Sequence, residues 1–449
     1  MKIMFYFKKV LKQLFVPLVI LFSVALALPP ENIAPPISDI PKIDSIVLDG
    51  IQNKAFPGCQ VYVLKDGKVI YDKSFGNFTY DTIQKVQSST IYDLASLSKT
   101  TGTLLAIMKL YDGGKLKLTD KASQYLTFLR ATDKENITIR DLLLHETGLP
   151  GSMEFYRAIV EKNNTANFLP LNADSTHSVQ LGNQSYKYKA GWTSKIQTPQ
   201  YITQIADSFY MNNNFHSKAM EMIAKTKLGS KSYLYSCVNF MLLKEIAEAI
   251  SGMTMDVFLE KEFFVPMQLN TMSYLPLRSH PKEEITPTLK KDFLRNGQLQ
   301  GYVHDPDAAL LGGVSGNAGL FASAHDVAQI YQMLLNGGEL DGKRYLCTET
   351  CRVFTTTTSL SGRRGLGFDK PNTGTTGFNP CCKSAPSATY GHTGYTGTCC
   401  WVDPVNKLVY VFLSNRTYPN DGVNKLAKMR IRPKIQEAIY QFSILPLRH

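Results

Sequence analysis

Ser96-Leu97-Ser98-Lys99 places a hydroxyl and an amine three residues apart, one turn from each other on one helix face. An unassisted serine hydroxyl is a poor nucleophile. A partly buried lysine beside it can lose its proton and act as a base. With the helix starting at Ser96, the free N–H groups and positive dipole end of its first turn also favour a developing anion. The tetrapeptide alone is a weak signal, because S-x-x-K recurs by chance, usually on a solvated helix face. Its weight depends on partners elsewhere in the chain.

Two stretches are candidates for that partnership. Tyr235-Ser236-Cys237 stands just ahead of a helical pattern, where a tyrosine can shuttle a proton. The plainer reading is an aromatic packing at a helix entry. Gly391-His392-Thr393-Gly394-Tyr395-Thr396-Gly397 stands just ahead of a strand pattern. Small residues on a sheet edge let a substrate backbone lie alongside as an added strand. The N–H of Tyr395 would then share an oxyanion hole with the N–H of Ser96; the plainer reading is a glycine-rich turn. His304 and Asp305 are candidates for the wall of a cleft, with a structural contact as the equal alternative. His145 is read as a residue that caps or packs.

In order and spacing, Ser96-Leu97-Ser98-Lys99, Tyr235-Ser236-Cys237 and His392-Thr393-Gly394 resemble the S-x-x-K, Y-x-N and K/H-T-G motifs of the serine β-lactamase and penicillin-binding-protein superfamily. The nearer likeness is to the class C β-lactamase-like branch, with its peptidase and esterase relatives. Phe56-Pro57-Gly58, Leu142-Leu143-Leu144-His145, Gly319-Leu320-Phe321-Ala322-Ser323 and Leu413-Ser414-Asn415-Arg416 agree with it. The resemblance covers roughly residues 45–440.

It implies an antiparallel sheet flanked by helices with an inserted, mostly helical domain, an α/β (α+β) fold of the β-lactamase/transpeptidase type. It implies that Ser96 is acylated and that Lys99 and Tyr235 move its proton. It also implies an oxyanion hole from the N–H groups of Ser96 and Tyr395, with Cys237, His392, Thr393, Gly394 and His304 facing the substrate. No metal or organic cofactor is implied. Two residues depart from the pattern: Cys237 stands where Asn is usual, and His392 where Lys is usual. A thiol donates and accepts only weakly, which argues against efficient β-lactam hydrolysis. An imidazole whose charge varies between about pH 5 and 8 would read a carboxylate less well as pH rises.

The expectation is therefore an exported serine hydrolase for an ester or peptide bond, on a small-molecule or peptidoglycan-type substrate. The alternative is a penicillin-binding or sensor module that is acylated without efficient turnover.

The 449 residues suffice for one to three domains, and 44% hydrophobic with 19% charged residues is a globular composition. Of the net charge of +12, four charges are Lys2, Lys8, Lys9 and Lys12, and no basic run suggests a nucleic-acid track. These lysines, the apolar run Leu14–Leu28 and Ala25-Leu26-Ala27 read as a secretory signal over 1–27. The expected location is periplasmic or extracellular. Membrane contact is expected only through this segment if it stays uncleaved; oligomeric state is left open. A Pro-rich linker is expected over 28–44. Of eight cysteines the last six crowd the C-terminal third, and none has C-x-x-C spacing, which gives a zinc site little support and leaves disulfide pairing open.

The elements must bring these residues together. Gln60–Leu64 and Val69–Phe75 read as a hairpin about Asp66-Gly67. Helical patterns follow Ser96 as far as Gly113-Gly114, then Thr138 to a stop at Gly148, Val238–Ile250 and Ala324–Leu335. Residues 151–232 read as a mostly helical, loop-rich lid. Strands are expected at 398–402 and 408–413, and a last helix over 424–442. The expected plan is one α/β domain from 45–115 and 305–449, with 116–304 inserted as a helical domain.

Overall fold

The computed structural model describes residues 40–162, 178–181, 184–359, 363–372 and 379–443. The expected signal segment and all but the end of the Pro-rich stretch lie outside the described residues. That end is helical. Pro41 takes the first position of the helix Pro41–Gln52, where a missing N–H costs nothing and φ is already suitable. The expected linker to residue 44 is corrected accordingly.

A five-stranded antiparallel sheet runs in the order Tyr390–Thr393, Cys399–Asp403, Leu408–Ser414, Gly58–Lys65, Lys68–Gly76. Strands from the two ends of the chain thus lie side by side, with Cys59 opposite Ser414 and Val61 opposite Phe412. The hairpin turns at Asp66 and Gly67, with φ of 52° and 75°, both in the left-handed region a two-residue turn of this hand requires. Both faces of the sheet are covered. On one lie Val47, Phe56, Trp401, Tyr410, Ile435 and Ile439, from the sheet and the first and last helices. On the other, Val409 and Val411 pack with Leu105, Met108, Leu242 and Ile330 of the inner helices. That is why Leu408–Ser414 is apolar along nearly its whole length, not alternating.

Three expectations change. Residues 151–232 hold two small antiparallel sheets, Val160–Lys162 with Ser178–Leu181 and Gln184–Tyr188, and Thr193–Ser194 with Thr203–Ala206 and Phe209–Met211, beside one helix of length, Phe215–Lys225. Short runs such as Phe209-Tyr210-Met211 carry period-two burial, which a search for helical spacing passes over. The helix from Thr138 stops at Leu144, because His145 turns left-handed with φ 57°. The last helix is two, Lys425–Lys428 and Ile431–Ser443, broken at Arg430 with φ 54°. Pro433 belongs in a first turn, so a new helix has to begin just before it. Among the described residues no helix is long and apolar enough to cross a membrane.

Candidate active site

Strand Tyr92–Asp93 pairs with Leu320–Ala322, Asp93 lying opposite Phe321. The chain then enters a tight turn, Ala95–Leu97, a wide turn Lys99–Thr103, and the helix Leu104–Asp112. Ala95 is left-handed, with φ 47°, a conformation that costs about 1 kcal/mol or more for a residue with a Cβ. Asp93 holds it there: Oδ1 accepts the Ala95 N–H at 2.8 Å and Oδ2 the His304 N–H at 2.7 Å. Ser96 follows in the first turn, where N–H groups have no intrahelical acceptor.

Lys99 is fully buried. Its Nζ lies 3.0 Å from Ser96 Oγ, 2.9 Å from the carbonyl oxygen of Asn317 and 3.5 Å from Cys237 Sγ. Burial pulls its pKa down, but the charges that Cys237 and Tyr235 carry when ionised push harder, and the balance lies above the ordinary lysine value.

Tyr235 lies in the extended segment that enters the helix Cys237–Ser251. His145 fixes this segment: its carbonyl accepts the Leu234 N–H at 2.9 Å, and its ring Nδ1 accepts the Ser236 N–H at 3.1 Å. Burial first, then Arg364 and Lys99, keep this imidazole neutral. The Tyr235 ring lies 4.8 Å from the His145 ring, with Lys99 Nζ 5.1 Å and Arg364 Cζ 5.0 Å from its centroid. The Tyr235 hydroxyl is buried with no hydrogen-bond partner. Cys237 is half-buried and its thiol pKa raised, mainly by burial, so it is a neutral thiol beside Lys99.

The third stretch is tied directly to the nucleophile turn. Thr396 Oγ1 donates to the Asp93 carbonyl at 2.7 Å and Thr398 Oγ1 to the Leu94 carbonyl at 2.9 Å. Gly394 approaches so closely that a Cβ there would lie 2.4 Å from the Leu94 oxygen. Thr393 ends the edge strand and Tyr395 follows, 54% exposed, with its carbonyl accepting from Arg416 Nε at 2.7 Å and no described acceptor for its N–H. Ser96 and Tyr395 line the same cleft.

His392 differs from expectation. It is 2% exposed, and burial, then Arg364 and Lys99, hold its pKa well below the imidazole range. It stays neutral at physiological pH, so a carboxylate contact that weakens with rising pH has no basis here. His304 lines the cleft with its ring 5.5 Å from that of Tyr395, and its backbone serves Asp93, so both readings of it hold. Asp305 caps the helix Pro306–Leu310 through the Ala308 N–H at 2.8 Å. All eight cysteines are free thiols, and among the described residues no cluster of three or more His, Cys, Asp or Glu side chains forms a metal-binding set.

Sequence reading missed three residues of this site: Asp93, Asn317 and Arg364. Asn317 lies in the Gly-dense loop, whose close approach to a ligand or a tight turn was all the pattern could suggest. Asp93 and Arg364 have no motif spacing; only the strained Ala95 and the cleft wall reveal them.

A serine one hydrogen bond from a buried lysine, in a cleft that Tyr395 also lines, suits a serine hydrolase. The chain belongs to the beta-lactamase family, whose sequence profile matches residues 43–431. It is 29% identical over 393 residues to the "Putative D-alanyl-D-alanine carboxypeptidase" of Escherichia coli (strain K12), covering 81% of this chain and 79% of that one. To the "N-acetylmuramyl-L-alanine amidase" of Bacillus subtilis (strain 168) it is 28% identical over 404 residues, covering 84% and 81%. Its fold is similar to that of EstCE1, "a hydrolase with promiscuous acyltransferase activity", with TM-score 0.60, 16% identity, and 89% and 98% of the two chains covered. The resemblance read from the three motifs is thereby established, as are the β-lactamase/transpeptidase-like fold and the serine-hydrolase class.

Proposed function

We propose that this chain hydrolyses an amide or ester bond through an acyl-enzyme on Ser96, in the turnover of cell-wall peptides or glycans. The observation that carries this reading is the 3.0 Å contact of Lys99 Nζ with Ser96 Oγ, in a site that also holds Tyr235. As Oγ attacks a carbonyl, its proton passes to the Lys99–Tyr235 pair, one member of which must be unprotonated to take it. Tyr235 and Lys99 together pass the serine proton to the leaving group. The N–H groups of Ser96 and Tyr395 receive the tetrahedral oxygen, and water then releases the acyl group. The names of two relatives, a carboxypeptidase and an amidase of wall components, support a wall-type amide as substrate. An exported location follows from the character of residues 1–27, and the N-terminal sequence of the mature protein tests it.

A panel of p-nitrophenyl esters, D-amino-acid peptides, muropeptides and a chromogenic cephalosporin separates the substrates. Turnover of peptide or ester, with the cephalosporin poorest, is expected. No turnover of any, with no fluorophosphonate label on Ser96, would sink the proposal.

Cys237 favours a second reading. Without the amide usual at this position, deacylation is slower, and the protein would act as an acylated sensor or penicillin-binding module. Intact-mass spectrometry distinguishes the two: a long-lived adduct on Ser96 supports the sensor, rapid release the hydrolase.

A further inference from the structure

A second cavity opens at the Tyr390 end of the edge strand Tyr390–Thr393, away from Thr393 and the nucleophile turn. It shares no wall residue with the cleft around Ser96. Its volume is about 330 Å³, enough for a small molecule. Lys370 lines it with Tyr390, Pro371 and Pro404, and so do the exposed Thr358 and Ser387. The segment that carries Lys370 lies along the sheet edge: Asp369 N–H donates to the Gly391 carbonyl at 2.7 Å, and Gly391 N–H donates back at 3.0 Å. Neighbours on an extended segment face opposite ways. Here Asp369 lines the Ser96 cleft, and Lys370 lines the second cavity.

Lys370 is 3% exposed, and among the described residues its Nζ makes one hydrogen bond, to the Thr355 carbonyl at 3.0 Å. An ammonium has three donors, so two are left. No carboxylate among the described residues reaches it. Its neighbour Asp369 is paired with Arg363. The stretches 360–362 and 373–378, on either side in the chain, contain neither Asp nor Glu. Two other deeply buried lysines are paired: Lys134 with Asp133 at 2.6 Å and Lys244 with Glu248 at 2.7 Å. Burial alone pulls the Lys370 amine down to about 8, with no opposing charge to hold it up. A buried cation without a counter-charge is costly unless something negative completes it. The hydroxyls of Thr358 and Ser387 have no described partner. A phosphate group has oxygens enough to accept from the ammonium and from both hydroxyls at once, and a lysine serves it as a point charge. Tyr390, Pro371 and Pro404 leave an apolar wall for the organic part of an ester.

We propose that Lys370, with Thr358 and Ser387, binds a phosphate group in this cavity, at a site separate from the catalytic cleft. The ligand is a small phosphate ester or the free ion, and the phosphate is what the site reads. Once bound, it ties the segment of Lys370 to the loop of Ser387 and so braces the stretch that sends Arg363 and Arg364 into the cleft wall. The site stands independently of the acyl-serine reading.

Melting curves at neutral pH test it, with inorganic phosphate or glycerol 3-phosphate titrated against sodium chloride of equal ionic strength. With each phosphate a saturable rise of about 2–5 °C beyond the chloride control is expected. Tighter binding of glycerol 3-phosphate marks an ester as the ligand and equal affinity marks the free ion; both support the site. Lys370→Met keeps most of the buried stem and removes the charge. It is expected to melt at or above wild type without phosphate, and to lose the rise. A wild-type rise no larger than that with chloride overturns the proposal. So does a rise that survives Lys370→Met, which would put the anion among the arginines of the cleft. If Lys370→Met does not fold, the double variant Thr358→Ala/Ser387→Ala decides, since both side chains are exposed. A phosphate Kd raised by about threefold to tenfold in that variant supports the site, and an unchanged Kd overturns it.

Discussion

Lys99 Nζ stands 3.5 Å from Cys237 Sγ, a thiol where relatives of this site type carry a carboxamide. The thiol gives the buried Lys99 Nζ a weak acceptor and offers the substrate a weak donor. Cys237→Asn restores both. Acyl-enzyme release and cephalosporin turnover are expected to rise by about threefold to tenfold, the worth of one ordinary hydrogen bond. Stopped-flow deacylation rates check this, and a rate at or below wild type would refute the role given to Cys237.

Ser96→Ala removes the nucleophile and only a small, partly exposed hydroxyl. Turnover should fall by at least about a thousandfold. The melting temperature should stay close to wild type, because no core contact is lost. Near-normal turnover would show that another group attacks.

Asp93 links activity to acid pH. Its carboxyl is pushed up to about 6 from 3.8, by burial first, and Asp307 likewise. A folded pKa above the unfolded one means that the stability these groups contribute is full below 3.8 and lost as pH rises through about 6. Activity runs the other way. Protonated Asp93 no longer accepts both the Ala95 and His304 N–H groups as a carboxylate, and the turn holding Ser96 loosens. Between about pH 6 and 4, kcat/KM should therefore fall while these two groups favour the fold more. Paired pH profiles of activity and melting, on wild type and Asp93→Asn, test it. An acid limb that persists unchanged in Asp93→Asn would assign it elsewhere.

Gly394→Ala puts a Cβ 2.0 Å from Thr398 Oγ1 and 2.4 Å from the Leu94 carbonyl. Backbone cannot yield there without moving Ala95 and Ser96. A loss of about 2–3 kcal/mol of stability is expected, with activity falling further than stability alone explains. Urea unfolding and residual kcat/KM give the two numbers. A variant of wild-type stability and activity would mean that the edge strand moves freely past the nucleophile turn.

Much of the plan was legible in advance. Asp66-Gly67 declared its hairpin because only a few residues take two consecutive left-handed positions. Ala324–Leu335 emerged with the expected ends, since a serine cap at Ser323 and paired glycines at 337 and 338 are local signals. The segment 151–232 was misread because strands of two to five residues leave too few periods to distinguish from loop. His392 was misread because its type suggests a titrating group, while its protonation is set by neighbours 28 and 293 positions away, Arg364 and Lys99.

The sequence by itself determined which chemistry is present. Ser96 and Lys99 meet through the pitch of one turn, a property of the backbone that needs no distant partner. Only the tertiary structure decided how that chemistry is tuned. The strain at Ala95, the neutral ring of His392 and the Arg364 donor that has no partner among the described residues all depend on burial and on groups brought together from segments hundreds of residues apart. Desolvation and Coulomb interaction act through space, and the order of residues along the chain does not encode them directly.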